Sequence, residues 1–184
     1  MTYHPVFHRP ASTPAWSIAL AVATVVGSLA AACMMPFVAL ATLAAATMPR
    51  GRAIATIAAI WAANQALGFT ILGYPVETHA AIWGAAIGVA ALVAALIAGA
   101  VLGGRRDVAA APMLGAFAAA FVAYEALLFA FALVAGGTET FAPSIVLLIL
   151  ANDSLWFAGL GLLYYLLTRA APGLFGPAPA LRFA

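Results

Sequence analysis

The sequence predicts an all-α membrane protein: a compact bundle of six transmembrane helices, with a five-helix arrangement as the alternative. Three observations carry that expectation. Of the 184 residues, 67% are hydrophobic and only 7% are charged, against about 25% charged in an ordinary soluble domain. Mean hydropathy is +1.13. Apolar runs close to the ~20 residues that cross a bilayer alternate with short loops in which proline, glycine and charge occur together. No soluble stretch is long enough for a second domain. Residues 1–184 therefore read as a single transmembrane domain, with a cytoplasmic arm at 1–14 and a cytoplasmic tail at 172–184.

In chain order, Arg9-Pro10 ends the polar arm. Residues 15–48 are too long for one ordinary span and short for two. Pro36, after Cys33-Met34-Met35, divides them into a helix at 15–33 and a short second helix ending at Met48. Pro49-Arg50-Gly51-Arg52 reads as a sharp loop before a third helix at 53–72. An acidic turn, Gly73-Tyr74-Pro75-Val76-Glu77, precedes the fourth run at 78–102. Gly103-Gly104-Arg105-Arg106-Asp107 then leads to the fifth at 112–135, and Gly136-Gly137-Thr138-Glu139 to the sixth at 144–169. From Pro172 onward, repeated proline and glycine predict a tail that cannot stay helical.

Arginine placement fixes an orientation. With the N-terminus in the cytoplasm, Arg9, Arg50, Arg52, Arg105, Arg106, Arg169 and Arg182 fall inside, whereas Glu77 and Glu139 fall outside. That satisfies the positive-inside rule. Treating 15–48 as one tilted helix moves only Arg9. The expected location is a bacterial cytoplasmic (inner) membrane, multi-pass, with both termini cytoplasmic. A sequence pI near 9.0 comes from loop arginines and suits a face lying on anionic membrane lipid, with no nucleic acid implied.

Several chemistries lack their residues. The single cysteine permits no intrachain disulfide, zinc knuckle or CxxC pair, so Cys33 reads as a packing residue. Leu29-Ala30-Ala31-Ala32-Cys33 loosely resembles a lipoprotein signal, but its leucine lies one place too far from the cysteine. His4, His8 and His79 lie at wet ends and do not suit a bis-histidine haem, and no metal or other cofactor is expected. The sequence supplies no nucleophile–base pair, HExxH or phosphate loop, so it does not read as an enzyme. Any ATP-driven work would need other subunits.

What remains is a polar layer. Glu125 and Asp153 sit inside apolar runs, where a carboxylate is costly and is retained mostly to face a cavity, a partner or a pathway. At 1.5 Å per residue, Asn64 and Asp153 lie roughly 12 Å from the outer helix ends, and Glu125 roughly 15 Å. Trp61, Asn64, Gln65 and Gly68 share one face at three- and four-residue spacing. So do Phe121, Tyr124, Glu125 and Leu128, and likewise Asn152, Asp153 and Trp156; Trp83 enters from the same side. Tyr164 and Tyr165 read as interfacial belt residues. One reading is an outward-open pocket walled by aromatic rings, with Trp61, Asn64, Gln65, Trp83, Tyr124, Glu125, Asn152, Asp153 and Trp156 as substrate-binding residues. A second is interhelical glue worth about 0.6 kcal/mol per bond, and a third is a proton relay through the two carboxylates. With no lysine or arginine in the spans, a pocket would suit a small neutral or cationic heteroaromatic ligand.

The helix plan resembles the substrate-binding S component of energy-coupling-factor vitamin transporters. The closest local likeness runs from Pro36-Phe37-Val38-Ala39-Leu40 through Met48-Pro49-Arg50-Gly51-Arg52-Ala53 to Gly68-Phe69. It is similar to that family's short apolar helix, proline–basic–glycine turn and following helix. The resemblance implies vitamin or micronutrient uptake, with a transmembrane coupling subunit and cytoplasmic ATPases as partners. It also implies docking through an alanine-x-x-x-alanine surface on the first helix, whose spacing Ala19 and Ala23 match. The Met-His start of the family's nickel and cobalt branch is absent, because His4 follows Thr2-Tyr3. A structural or assembly subunit of a larger membrane complex, with no ligand of its own, is the other class that fits. An intramembrane enzyme is a distant third.

Overall fold

Prolines set most of the helix starts. A first-turn proline lacks only a donor the helix would not have used, and its fixed φ suits the helix. In the computed structural model, which describes residues 14–30, 35–103 and 110–176, α1 (Pro14–Ala30) and α6 (Pro143–Ala170) begin on a proline. The short α2 (Phe37–Thr47) and α3 (Arg50–Thr70) begin directly after Pro36 and Pro49. Helix α4 (Thr78–Leu102) ends on Gly103 in the left-handed region, at φ 56°, which glycine adopts without steric cost. Helix α5 spans Ala110–Ala135, and a 3₁₀ turn at Thr138–Phe141 joins it to α6. A single helical turn, α7 (Pro172–Phe175), closes the described chain.

Two local expectations are corrected. Arg50, Gly51 and Arg52 are not loop but the first turn of α3. The reversal is confined to Met48 and Pro49, both in extended backbone geometry, and open space around Gly51 places no demand on that glycine. The tail after Pro172 is also helical for one turn, because Pro172 occupies a first-turn position; Gly176, at φ 87°, ends it. The expectations for the N-terminal arm (Arg9, His4, His8), for Cys33, for Arg105, Arg106 and Asp107, and for Arg182 lie outside the described residues.

The described residues form helices and turns without a strand, and four helices, α3 to α6, are long and apolar enough to cross a membrane. Helices α1 and α2 are shorter. Side-chain contacts fix the directions. Trp16, near the start of α1, donates from Nε1 to Thr47 Oγ1 at 2.9 Å and packs on Tyr164 of α6, centroids 4.7 Å apart. Both partners are at helix C-termini. Trp61 and Gln65 of α3 meet Gly88 and Gly84 of α4 in reversed order. Trp83, at the start of α4, meets Phe131, near the end of α5, and Phe117 of α5 meets Phe157 of α6. Direction therefore alternates from α1 through α6. Arg50, Arg52 and Arg169 gather at one end, while Glu77 and Glu139 gather at the other.

Helix α2 is the axis of the bundle. Every residue from Phe37 to Ala44 is buried, and α3, α4, α5 and α6 all pack on it. Such close surrounding needs small side chains. Helix α4 supplies Gly84, Gly88, Ala90, Ala91, Ala94, Ala95 and Ala98 on its buried side, and small residues let helix backbones approach closely. Buried Thr24, Thr42 and Thr168 return their hydroxyls to carbonyls one turn back, so they need no partner from another helix. The outer surface is apolar: Ile18, Val22 and Val26 on α1, Val122 and Leu133 on α5, and Leu147, Leu155 and Leu162 on α6 are exposed. Apolar surface on this scale suits a lipid surrounding.

Candidate functional site

The first turn of any α-helix carries backbone N–H groups with no partner inside the helix. Helix α2 starts in the bundle interior, where Pro36 provides no side-chain cap. Asp153 of α6 supplies one from a distance of 114 residues. Its Oδ1 accepts the Ala39 N–H at 2.8 Å, and the Val38 N–H hydrogen-bonds to the same carboxyl group. Asp153 is 2% exposed. Burial opposes a charge at Asp153, while the hydrogen bonds and the positive end of the helix dipole favour one. The lengths agree. Eleven residues of α2 rise about 16 Å from one end of the bundle, and Asp153 lies about 15 Å along α6 from the other. They meet at mid-depth.

Glu125 has a different position. Tyr124, Glu125 and Asp153 lie within electrostatic reach of one another, so α5 and α6 do bring these sequence-predicted residues together. Yet Oε1 of Glu125 is buried and accepts no hydrogen bond among the described residues. The Glu125 side chain also lines a cleft of about 410 Å³, together with Phe121, Val122, Ala126, Phe129, Phe141 and Val146. Helices α5 and α6 both pack on α2 and meet through Phe117 and Phe157, and the cleft lies beside α5. Phe129 and Phe141 close its upper part in an edge-to-face pair, centroids 5.3 Å apart. Asn64 and Asp153 are not among its lining residues.

Trp61, Gln65 and Trp83 are engaged elsewhere, between α3, α4 and α5. Trp61 donates from Nε1 to the Gly84 carbonyl at 2.8 Å, and its indole lies on Gly88. Gln65 lies against Gly84. Trp83 turns its ring to Phe131, centroids 4.9 Å apart. These contacts join α3 to α4 and α4 to α5, with all three side chains half-buried. Asn64 is half-buried on α3, Asn152 is half-buried and has an interaction partner, and Trp156 packs on the hydrophobic core. Ala19 and Ala23 are also half-buried against the core, while the exposed stripe of α1 carries Ile18, Val22 and Val26.

Sequence reasoning missed the Val38 and Ala39 N–H groups, because backbone donors leave no mark in residue type. It also missed Phe129, Phe141 and Val146 as cleft walls. A signal existed for the first: a helix beginning after Pro36 in an apolar run has no local cap and needs an acceptor from elsewhere. Among the described residues, no three or more histidine, cysteine, aspartate or glutamate side chains gather closely enough to hold a metal ion. Compared with known proteins, the chain matches no family model, no curated protein and no solved structure.

Proposed function

We propose that the chain is the substrate-binding membrane subunit of a micronutrient uptake transporter of the energy-coupling-factor kind. It captures a small neutral or cationic heteroaromatic ligand and relies on a coupling subunit and cytoplasmic ATPases for transport. In this reading α1 and α2 complete a six-span topology in a bacterial inner membrane, with both termini cytoplasmic. The alternating helix directions and the gathering of Arg50, Arg52 and Arg169 at one end support it. The observation that carries the functional reading is Glu125, whose side chain lines a phenylalanine-walled cleft and whose buried Oε1 has no hydrogen-bond partner among the described residues. A carboxylate at membrane depth without a protein partner is the residue expected to meet a ligand.

The test is binding of a vitamin panel to the purified chain, read by intrinsic tryptophan fluorescence and thermal shift. Saturable binding by one compound supports the reading, and no binding across the panel refutes it. A second reading, an assembly subunit without a ligand, is favoured by the sideways opening of the cleft, whose rim residue Val122 is 66% exposed. There a helix of another subunit would fill the cleft. Co-purification of a stoichiometric membrane polypeptide that covers Val122 would favour it.

A further inference from the structure

We infer that the cleft beside α5 holds one acyl chain of an amine-headed phospholipid, seated from the leaflet at the Glu77 and Glu139 end of the bundle. The inference goes beyond the binding-subunit reading and does not depend on it. Depth sets the first limit. The α5 part of the cleft runs from Phe121 to Phe129, roughly 9–21 Å below the helix end at Ala135 by the rise per residue. A helix of 26 residues overhangs a ~30 Å hydrocarbon layer by only a few Å at each end. The cleft therefore lies in the hydrocarbon of one leaflet. The walls set the second limit. Phe121, Val122, Ala126, Phe129, Phe141 and Val146 are apolar, and Oε1 of Glu125 is buried out of reach of the open space. An apolar chain gains van der Waals contact with those rings, the attraction that remains inside hydrocarbon. Route and size set the third. Phe129 and Phe141 pair edge to face across the upper part, whereas Val122 and Phe129 are exposed on the flank of α5. A transmembrane helix, about 10 Å wide, would lie along most of α5, but the cleft covers only the stretch from Phe121 to Phe129. A single flexible chain fits that length.

Charge selects the head. Phe141 lines the cleft and belongs to the 3₁₀ turn Thr138–Phe141, whose Glu139 is exposed. A chain in the cleft brings its head beside that turn. The described residues at this end supply two carboxylates, Glu77 and Glu139, and one histidine, His79, while Arg50, Arg52 and Arg169 lie at the other end. An anionic head is repelled there and a primary ammonium attracted. The preference is opposite to the one that arginines give the far end.

The test uses the full chain in lipid nanodiscs doped with phosphatidylethanolamine or phosphatidylglycerol carrying the same diazirine-bearing acyl chain. After photolysis, labelled residues are located by mass spectrometry. Labelling at Phe121, Val122, Phe129 and Val146 should exceed that at Leu155 and Leu162, which are exposed on α6 and report ordinary surrounding lipid. The ethanolamine probe should label the cleft about fivefold more than the glycerol probe, the effect of one charge near the membrane surface. Glu139→Lys should reverse that preference. Val122→Trp, which fills the mouth, should reduce cleft labelling and leave Leu155 unchanged. Cleft labelling no higher than at Leu155 would overturn the chain assignment, and so would labelling that survives Val122→Trp. Equal labelling by both heads, or a preference that Glu139→Lys leaves in place, would overturn the head assignment. A Val122→Cys probe that cross-links to another membrane polypeptide would put a protein helix in the cleft and overturn the proposal as a whole.

Discussion

Replacing Asp153 tests the interior cap of α2 most directly. Asp153→Ala removes the acceptor of the Ala39 N–H, held at 2.8 Å, and of the neighbouring Val38 N–H. Both donors would remain in a bundle interior where Pro36 offers no substitute. Losing a hydrogen bond to a charged group costs about 1.5–3 kcal/mol, and losing an N-cap costs about 0.5–2 kcal/mol. These overlap, since they describe the same contact, and the alanine variant also avoids burying a carboxylate. A net loss of about 1–3 kcal/mol follows. For a chain of 184 residues, each 1 kcal/mol shifts Tm by about 2–4 °C, so the expected fall is roughly 2–12 °C. Asp153→Asn keeps a cap acceptor of similar size and should lose about 1 kcal/mol or less, because asparagine caps helices nearly as well as aspartate.

The assay is thermal unfolding in detergent, followed by near- and far-ultraviolet circular dichroism, with amide hydrogen exchange at Val38 and Ala39. Exchange at those two amides should rise in Asp153→Ala and stay near wild type in Asp153→Asn. An alanine variant within about 0.5 kcal/mol of wild type would refute the cap, since that is the ordinary range for a surface change. So would an asparagine variant as damaged as the alanine one, which would make charge rather than the acceptor the important property.

Three further outcomes are expected. Gly88→Ala should destabilise the chain by about 1–3 kcal/mol, since a Cβ there would lie 2.6 Å from Cε2 of Trp61; the double change with Trp61→Ala should recover part of the loss, and full additivity by thermal unfolding would deny the contact. Cysteines placed at exposed Thr78 and Thr138 should react with an impermeant maleimide from outside intact cells, and protection of both would reverse or break the proposed topology. If α1 docks a coupling subunit, the double Ala19→Leu/Ala23→Leu variant should keep its Tm within a few degrees and lose co-purification; a large fall in Tm would assign those half-buried alanines to the chain's own packing.

Much of the fold was legible because breakers and charge mark the same places. Pro36, Gly73, Gly103 and Gly136 each lie within a few residues of a helix boundary. The error at Arg50-Gly51-Arg52 has a physical origin. Proline, glycine and two charges read as a loop by composition, but a proline just outside a helix and a glycine in open space are both compatible with a first turn. The helical turn at Pro172 escaped for the same reason. Composition reports what a residue tolerates, whereas the boundary depends on which residue carries the extended backbone, here Met48 and Pro49.

The polar layer was legible in depth but not in direction. Rise per residue converts sequence position into level, and it brought Glu125 and Asp153 to nearly one height. Azimuth depends on which helix lies alongside, and that is set by packing of small residues far apart in sequence. Trp61 and Gln65 consequently turn to the glycines of α4, although their spacing matched the carboxylates equally well. The interior start of α2 was nevertheless derivable. An eleven-residue helix covers only about half of a ~30 Å hydrocarbon layer, so its first N–H groups must find acceptors at mid-depth. Two carboxylates lie near that level, and only one can occupy the axis of the helix. Asp153 does, with hydrogen bonds to the backbone of Val38 and Ala39; Glu125 does not, and keeps an oxygen free. Residues that looked equivalent by depth therefore divide by role. Loss of the Asp153 acceptor should appear in stability first, while loss of the Glu125 charge should appear in binding with the fold intact.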